Sequence, residues 1–162
     1  MKSASHDRAN RCLQTAPIVS WDELVSLRAE WKRRGWKVVF TNGVFDLLHR
    51  GHIEYLKAAR ELGDVLVVGL NTDASVKKFK NTRRPIMPEQ DRAQILSCMR
   101  FVDAVTLFDQ PTPLELITEL KPDLLVKGAD YRKDEIVGAD IVENSGGRVV
   151  RIKLTEGKST SN

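Results

Sequence analysis

Five short apolar runs, separated by stretches of helical spacing, constrain this chain more than any other feature. They are KVVFTN at 37–42, DVLVVGLN at 64–71, VDAVTLF at 102–108, DLLVKG at 123–128 and RVVRIK at 148–153. The first carries β-branched residues, and the second is continuously apolar, the pattern of a strand buried on both faces. Between the runs the spacing is helical. Ser20 and Glu23 form a capping box that opens a helix over about 20–34, with Leu24, Leu27 and Trp31 on one face and Gly35 as its stop. Ile53, Leu56, Ala59 and Leu62 line a second helix, and 72–78 reads as a short third. Pro88 suits the first position of a helix whose stripe is Ile95, Leu96 and Met99, with Cys98 in its apolar pattern and read as core. Thr112 and Glu115 suggest a second capping box, with Pro113 at the first helical position and Leu114, Ile117 and Leu120 facing inward; 134–144 is the last helix. Strands alternating with helices predict an α/β fold, a doubly wound parallel five-stranded sheet with helices on both faces. Ligands of such sheets bind outside the carboxyl ends of the strands, at the switch point.

A chain of 162 residues suits one domain. Residues 1–17 are polar and aperiodic and read as a disordered tail; 18–162 form the domain, its helix at about 20–34 added to a core at 36–162. Cys12 and Cys98 have no metal-site spacing and are too few for a secreted disulfide framework. The start, MKSASHDRANRC, lacks the apolar centre of a secretory signal, and no apolar run is long enough to span a membrane, so a cytoplasmic protein is expected. The net charge of +4 favours anionic partners. Its densest basic cluster, KKFKNTRR at 77–84, is local rather than extended, which favours small phosphates over nucleic acid, with a solvated loop as the plain alternative.

The stretch with most chemistry is TNGVFDLLHRGH at 41–52. It follows the first strand and opens a helix, where unpaired N–H groups and the helix dipole attract phosphate. Thr41, Asn42 and Phe45 lie in it with Gly43, which permits a tight backbone, and Gly51, whose missing Cβ lets phosphate approach. His49 and His52, three apart at a helix start, share a side and can donate hydrogen bonds to a phosphate as charge builds on it. Asp46 reads as a carboxylate that bonds the loop backbone. Lys127, Gly128 and Asp130 end the fourth strand, where a lysine can meet phosphate and a glycine and aspartate can admit and read a base. Ser159 and Thr160, in TEGKST after the last strand, offer hydroxyls to phosphates, although the run is not a P-loop. Asn71 and Asp73 end the second strand within reach of a sugar hydroxyl, and Lys80 and Arg84 suit an acceptor's phosphate. For these four a surface role is equally open.

His49-Arg50-Gly51-His52 is an HxGH signature, and with its strand and helix it resembles the cytidylyltransferase-like nucleotidyltransferases, which share a Rossmann-like sheet. TNGxFD with HRGH, LNTDASVKKFKN, RPIMPEQDR, VDAV, PDLLVKGADY and EGKST are similar in particular to the adenylyltransferases of ADP-heptose synthesis, over about 36–160. The resemblance implies catalytic roles for His49 and His52, a phosphate contact for Arg92, and pyrophosphate binding by the Ser159-Thr160 turn. It implies ATP and D-glycero-β-D-manno-heptose 1-phosphate as substrates, Mg2+ held mainly by phosphates, and ADP-heptose for the inner core of lipopolysaccharide. It also implies a separate heptose kinase, and homodimers are common among relatives; no nucleic acid or membrane partner is expected. Glycerol phosphate cytidylyltransferases usually carry arginine where this chain has Leu154, which counts against CTP. The rivals are a sister enzyme with glycerol 3-phosphate, phosphopantetheine or a flavin mononucleotide as acceptor, and a non-catalytic nucleotide sensor. A redox Rossmann protein would need G-x-G-x-x-G after the first strand, which is missing.

Overall fold

The computed structural model describes residues 14–79 and 83–153. Its elements in chain order are β1 (Ile18–Val19), α1 (Trp21–Arg33), β2 (Val38–Gly43), α2 (Arg50–Arg60), β3 (Val65–Asn71), α3 (Asp73–Phe79), α4 (Glu89–Ser97), β4 (Ala104–Phe108), α5 (Leu114–Leu120), β5 (Leu124–Gly128), a 3-10 turn (Lys133–Glu135), α6 (Ala139–Asn144) and β6 (Arg148–Ile152). The strands form one parallel sheet in the order β1-β4-β3-β2-β5-β6. The chain runs outward from β2 through β3 to β4, then returns to lay β5 on the other side of β2. The switch point therefore lies between β2 and β5.

The sheet has six strands, not five. Ile18 and Val19 pair with Val105 and Thr106, where sequence reading placed the domain's first residues ahead of any strand. Two residues give no periodicity to read. The pairing is fixed from the other side, by Val105 N–H donating to Pro17 O and Thr106 Oγ1 donating to Val19 O. Just upstream, Ala16 N–H donates to Ser97 O at the end of α4.

Both sheet faces are covered, as strands apolar on both sides require. One core packs Leu24 and Trp31 of α1, Leu116, Ile117 and Leu120 of α5, and Val142 of α6 on Val38, Phe40, Val67 and Leu125. The other packs Tyr55, Leu56 and Ala59 of α2 and Ala93 and Leu96 of α4 on Val39, Leu66, Val68 and Val126. The capping box at Ser20 and Glu23 forms as expected.

Several helical stripes sit differently from their sequence reading. Ile53 and Leu62 of the α2 region, Ile95 of α4 and Leu114 of α5 are exposed, as is the Cys98 thiol, expected in the core. The buried face of α4 is Arg92, Ala93, Leu96 and Ser97, so half of it is polar. Pro88 and Pro113 cap their helices from outside rather than occupying the first turn, and Thr112 makes no side-chain cap. The helix expected at 134–144 is split by Gly138, whose φ of +81° breaks the spiral between the 3-10 turn and α6.

Candidate functional site

The switch point is where the sheet opens. β2 pairs with β3 along its whole length, from Val38↔Val65 to Gly43↔Leu70. β5 pairs with β6 from Leu124 to Gly128. Between β2 and β5, however, only Val39↔Leu124 and Phe40↔Leu125 are in register. Beyond these pairs the two central strands part toward their carboxyl ends, and side chains fill the interval. Tyr55 of α2 reaches in with its hydroxyl 2.8 Å from Thr41 Oγ1 and donates to Val126 O at 3.1 Å. One residue further along each strand, the Lys127 ammonium donates to Asn42 Oδ1 at 2.6 Å and to Asn42 O at 3.4 Å.

The two histidines meet beside this opening. His49 is the N-cap of α2 and His52 its third residue, and their rings lie 4.1 Å apart. Each Nδ1 accepts a backbone N–H, that of Gly51 for His49 at 3.1 Å and that of His49 for His52 at 3.3 Å. In the neutral imidazole the proton then belongs on Nε2, so both rings keep one outward donor. Burial, and then the neighbouring His49, push His52 down to about 4. It is therefore neutral at pH 7. The Phe45 ring stands edge-on to His52 at 5.7 Å.

Lys127 is partly buried, among the described residues no carboxylate stands at ion-pair distance from it, and its ammonium lies 5.5 Å from the centre of the Tyr131 ring. Burial lowers it to about 8, with the charge of Asp130 working the other way. A cation so poorly compensated is receptive to an incoming anion. Asp130 is exposed at the same strand end, and Gly128 is buried in the last pair of β5 with β6.

Other residues expected at the site have partners within the scaffold. Arg92 has no exposed surface. Its guanidinium donates to Met87 O, Val44 O, Asn71 O and Asp73 Oδ1 at 2.6–3.0 Å, so the residue expected at a phosphate is engaged by protein acceptors. Asn71 is buried and donates to Ser75 Oγ, while the Asp73 carboxylate pairs with Arg92 and its N–H donates to Glu89. Arg84 pairs with Asp46 at 2.9 Å. Asp46 also accepts from the N–H groups of Ile86 and Met87, binding the loop backbone as expected. Burial opposes its charge, but these N–H groups and Arg84 outweigh it and hold the carboxyl below its usual range.

Thr41 is fully buried against Tyr55, and Phe45 is buried with φ of +46°, supporting His52 from behind. A Cβ on Gly51 would lie 2.9 Å from His49 Cε1, and one on Gly43 would lie 3.0 Å from Phe45 Cε2. These glycines make room for protein rings. Lys80, Ser159 and Thr160 lie outside the described residues, as do His6 and Cys12. Tyr55 and Tyr131 were missed by sequence reading. Tyr55 sits three residues past His52, where its ring counts as helix-face core and its hydroxyl has no visible partner. Among the described residues no group of three or more His, Cys, Asp and Glu side chains could hold a metal, and no helix is long and apolar enough to cross a membrane.

Comparison with known proteins places this geometry in a family. Residues 40–156 match the family model for cytidylyltransferase-like domains. Bifunctional protein HldE of Magnetococcus marinus is 54% identical over 148 residues, 91% of this chain and 30% of that protein. The protein of the same name from Syntrophotalea carbinolica is 56% identical over 131 residues, 81% of this chain and 27% of its own. The chain thus spans about 30% of the length of these curated relatives. Among solved structures, the lipopolysaccharide core biosynthesis protein from Thermoplasma volcanium is 32% identical with a TM-score of 0.62, covering 76% of this chain and 100% of that one. Pantoate-beta-alanine ligase from Francisella tularensis, solved with β-γ ATP and β-alanine, shares the fold at 15% identity and a TM-score of 0.61, covering 88% of this chain and 68% of that one. A paired-histidine helix start at the switch point of a Rossmann-like sheet, matched by the family model over most of the chain, identifies it as a member of the cytidylyltransferase-like nucleotidyltransferase family.

Proposed function

We propose that the chain transfers AMP from ATP to D-glycero-β-D-manno-heptose 1-phosphate, giving ADP-heptose and pyrophosphate. The observation that carries the chemistry is the pair of outward Nε2 donors on His49 and His52, fixed by backbone N–H groups on both Nδ1 atoms. The choice of acceptor rests on the motifs from TNGVFD to EGKST and on the 54% identity to a bifunctional HldE. The solved relative named for lipopolysaccharide core biosynthesis supports the same assignment.

The acceptor's own phosphate oxygen attacks the α-phosphorus of ATP in line, the bond to the bridging oxygen breaks, and pyrophosphate leaves with the electron pair. The nucleophile is already anionic, so the protein's work is positioning and charge stabilisation. A neutral His52 suits this role, since it gives a hydrogen bond without needing to exchange a proton. Lys127 adds positive charge at the mouth of the β2–β5 opening, with Asn42, Gly43, Gly128 and Asp130 around the nucleotide. Ser159 and Thr160 would hold the leaving pyrophosphate, and Lys80 and Arg84 the acceptor's phosphate. Mg2+ would arrive on the triphosphate and be held by phosphates and water, where it neutralises charge on the reacting oxygens. A heptose kinase activity must supply the acceptor, and the chain works in the cytoplasm, without nucleic acid.

Pyrophosphate release should be measured with ATP or CTP, each against heptose 1-phosphate and glycerol 3-phosphate. Release with ATP and heptose 1-phosphate alone is the expected result. Release with another pair would move the acceptor or the nucleotide, and none with any pair would refute the reading.

A further inference from the structure

The parting of β2 and β5 creates a structural problem. Backbone groups that have left a ladder and stay buried need other partners. Val126 O finds one in the Tyr55 hydroxyl, which also meets Thr41 Oγ1, so one phenol joins both central strands where their own pairing has ended. Tyr55 is nine-tenths buried, and burial, with the charges of Tyr131 and Asp130, pushes its hydroxyl well above its ordinary value despite the bond to Thr41. It keeps its proton and remains a donor.

Tyr55 belongs to α2, and it lies three residues beyond His52 on the same side of that helix. The rest of α2 meets the sheet through Leu56 and Ala59. Apolar contacts resist separation but resist small sliding only weakly, because they carry no direction. The three-way hydrogen bond at Tyr55 is directional and lies one helical turn from the histidines. We propose that Tyr55 is a positioning residue, whose hydroxyl locks α2 to the parted strands and so sets where His49 and His52 stand relative to the β2–β5 opening. The catalytic part of this inference rests on the nucleotidyl transfer proposed above; the geometric part does not.

Tyr55→Phe keeps the ring and removes only the clasp. Its turnover is expected to fall about tenfold, as a small misplacement of reacting groups produces, with KM for the nucleotide changed less than twofold. His52, followed by NMR titration, is expected to move up from about 4 toward its ordinary value as the start of α2 shifts and takes on water. Thr41→Val, which removes one of the two links, is expected to move His52 the same way by less, and it keeps the question open to test should Tyr55→Phe fold poorly. A lower melting temperature with turnover and the His52 titration both unchanged would make Tyr55 merely structural and overturn the proposal. A moved His52 titration in a protein whose wild type shows no transferase activity would uphold the positioning role and refute the proposed reaction.

Discussion

Two cations lie near the carboxyl edge of the sheet, and they are built in opposite ways. Arg92, on the β3 side, is wholly buried and gives its guanidinium to three carbonyls and the Asp73 carboxylate. Lys127, on the β5 side, has among the described residues the two oxygens of Asn42 and a tyrosine ring beside it. Both were read from the sequence as phosphate contacts. Arg92 is finished as a scaffold part, tying the loop after β2 to the end of β3 and the start of α4. Lys127 meets no carboxylate at ion-pair distance among the described residues. A cation's sequence position near a site says less about its role than the acceptors already around it.

Breaking the comparison begins with the largest effect. Arg92→Met strands the buried carbonyl of Asn71, the half-buried ones of Val44 and Met87 and one side of an ion pair, and urea unfolding should show a loss of about 3 kcal/mol, the low end for a broken buried pair because Asp73 is partly exposed. Intact stability with a weakened affinity for ATP would return Arg92 to the phosphates. His49→Ala should cost about 1 kcal/mol of stability through the lost N-cap bond to Gly51 and cut turnover about a hundredfold, about 2.7 kcal/mol of transition-state stabilisation. Unchanged turnover in that folded variant would remove the histidines from the chemistry and leave Lys127 without a reaction to serve.

Lys127→Gln should lower kcat/KM for ATP about tenfold, without the stability loss of Arg92→Met, since a poorly paired buried charge disappears. In the wild type the ammonium is lost as pH rises through about 8, so kcat/KM should fall above that pH. Lys127→Arg should abolish that limb of the profile, and a limb that persists would assign it to another group. The smallest effect concerns His52. Its folded value of about 4 lies below the ordinary 6.5, so the unfolded chain takes up the proton first as pH falls. Stability present above pH 6.5 is therefore lost between 6.5 and 4, by no more than about 1 kcal/mol at this half-exposed ring. Comparing melting temperatures across that range in wild type and His52→Asn checks it; equal slopes would place the depressed value elsewhere.

The same contrast marks how far sequence could go. Buried strands declare themselves by composition, and each of the five expected ones ends within two residues of its reading. The histidine pair was legible because motif, strand and helix start coincide. α4 was misread because two of its four buried positions are Arg92 and Ser97, which are inside by virtue of hydrogen bonds that periodicity does not record. Ile53, Ile95 and Leu114 failed for the converse reason, since an apolar residue at the margin of a stripe need not be covered. Tyr55 was invisible as a clasp because its partners, Thr41 and Val126, become neighbours only when β2 and β5 part.

The short strand β1 and the helix after it have a consequence for the order in which the chain can assemble. Val19 meets Thr106, Trp21 Nε1 donates to Leu107 O, and Arg28 reaches Leu120, Lys121 and Asp123, contacts separated by 86 to 95 residues. During synthesis the amino-terminal end emerges first, yet its docking surface is completed only once β4 and α5 have followed. Until then Leu24 and Trp31, destined for the core, lack its later members Ala104, Phe108, Leu116, Ile117 and Leu120. Contacts so distant along the chain form slowly, so α1 waits for β4 and α5 before it is held in place, and its apolar face stays incompletely covered until they follow.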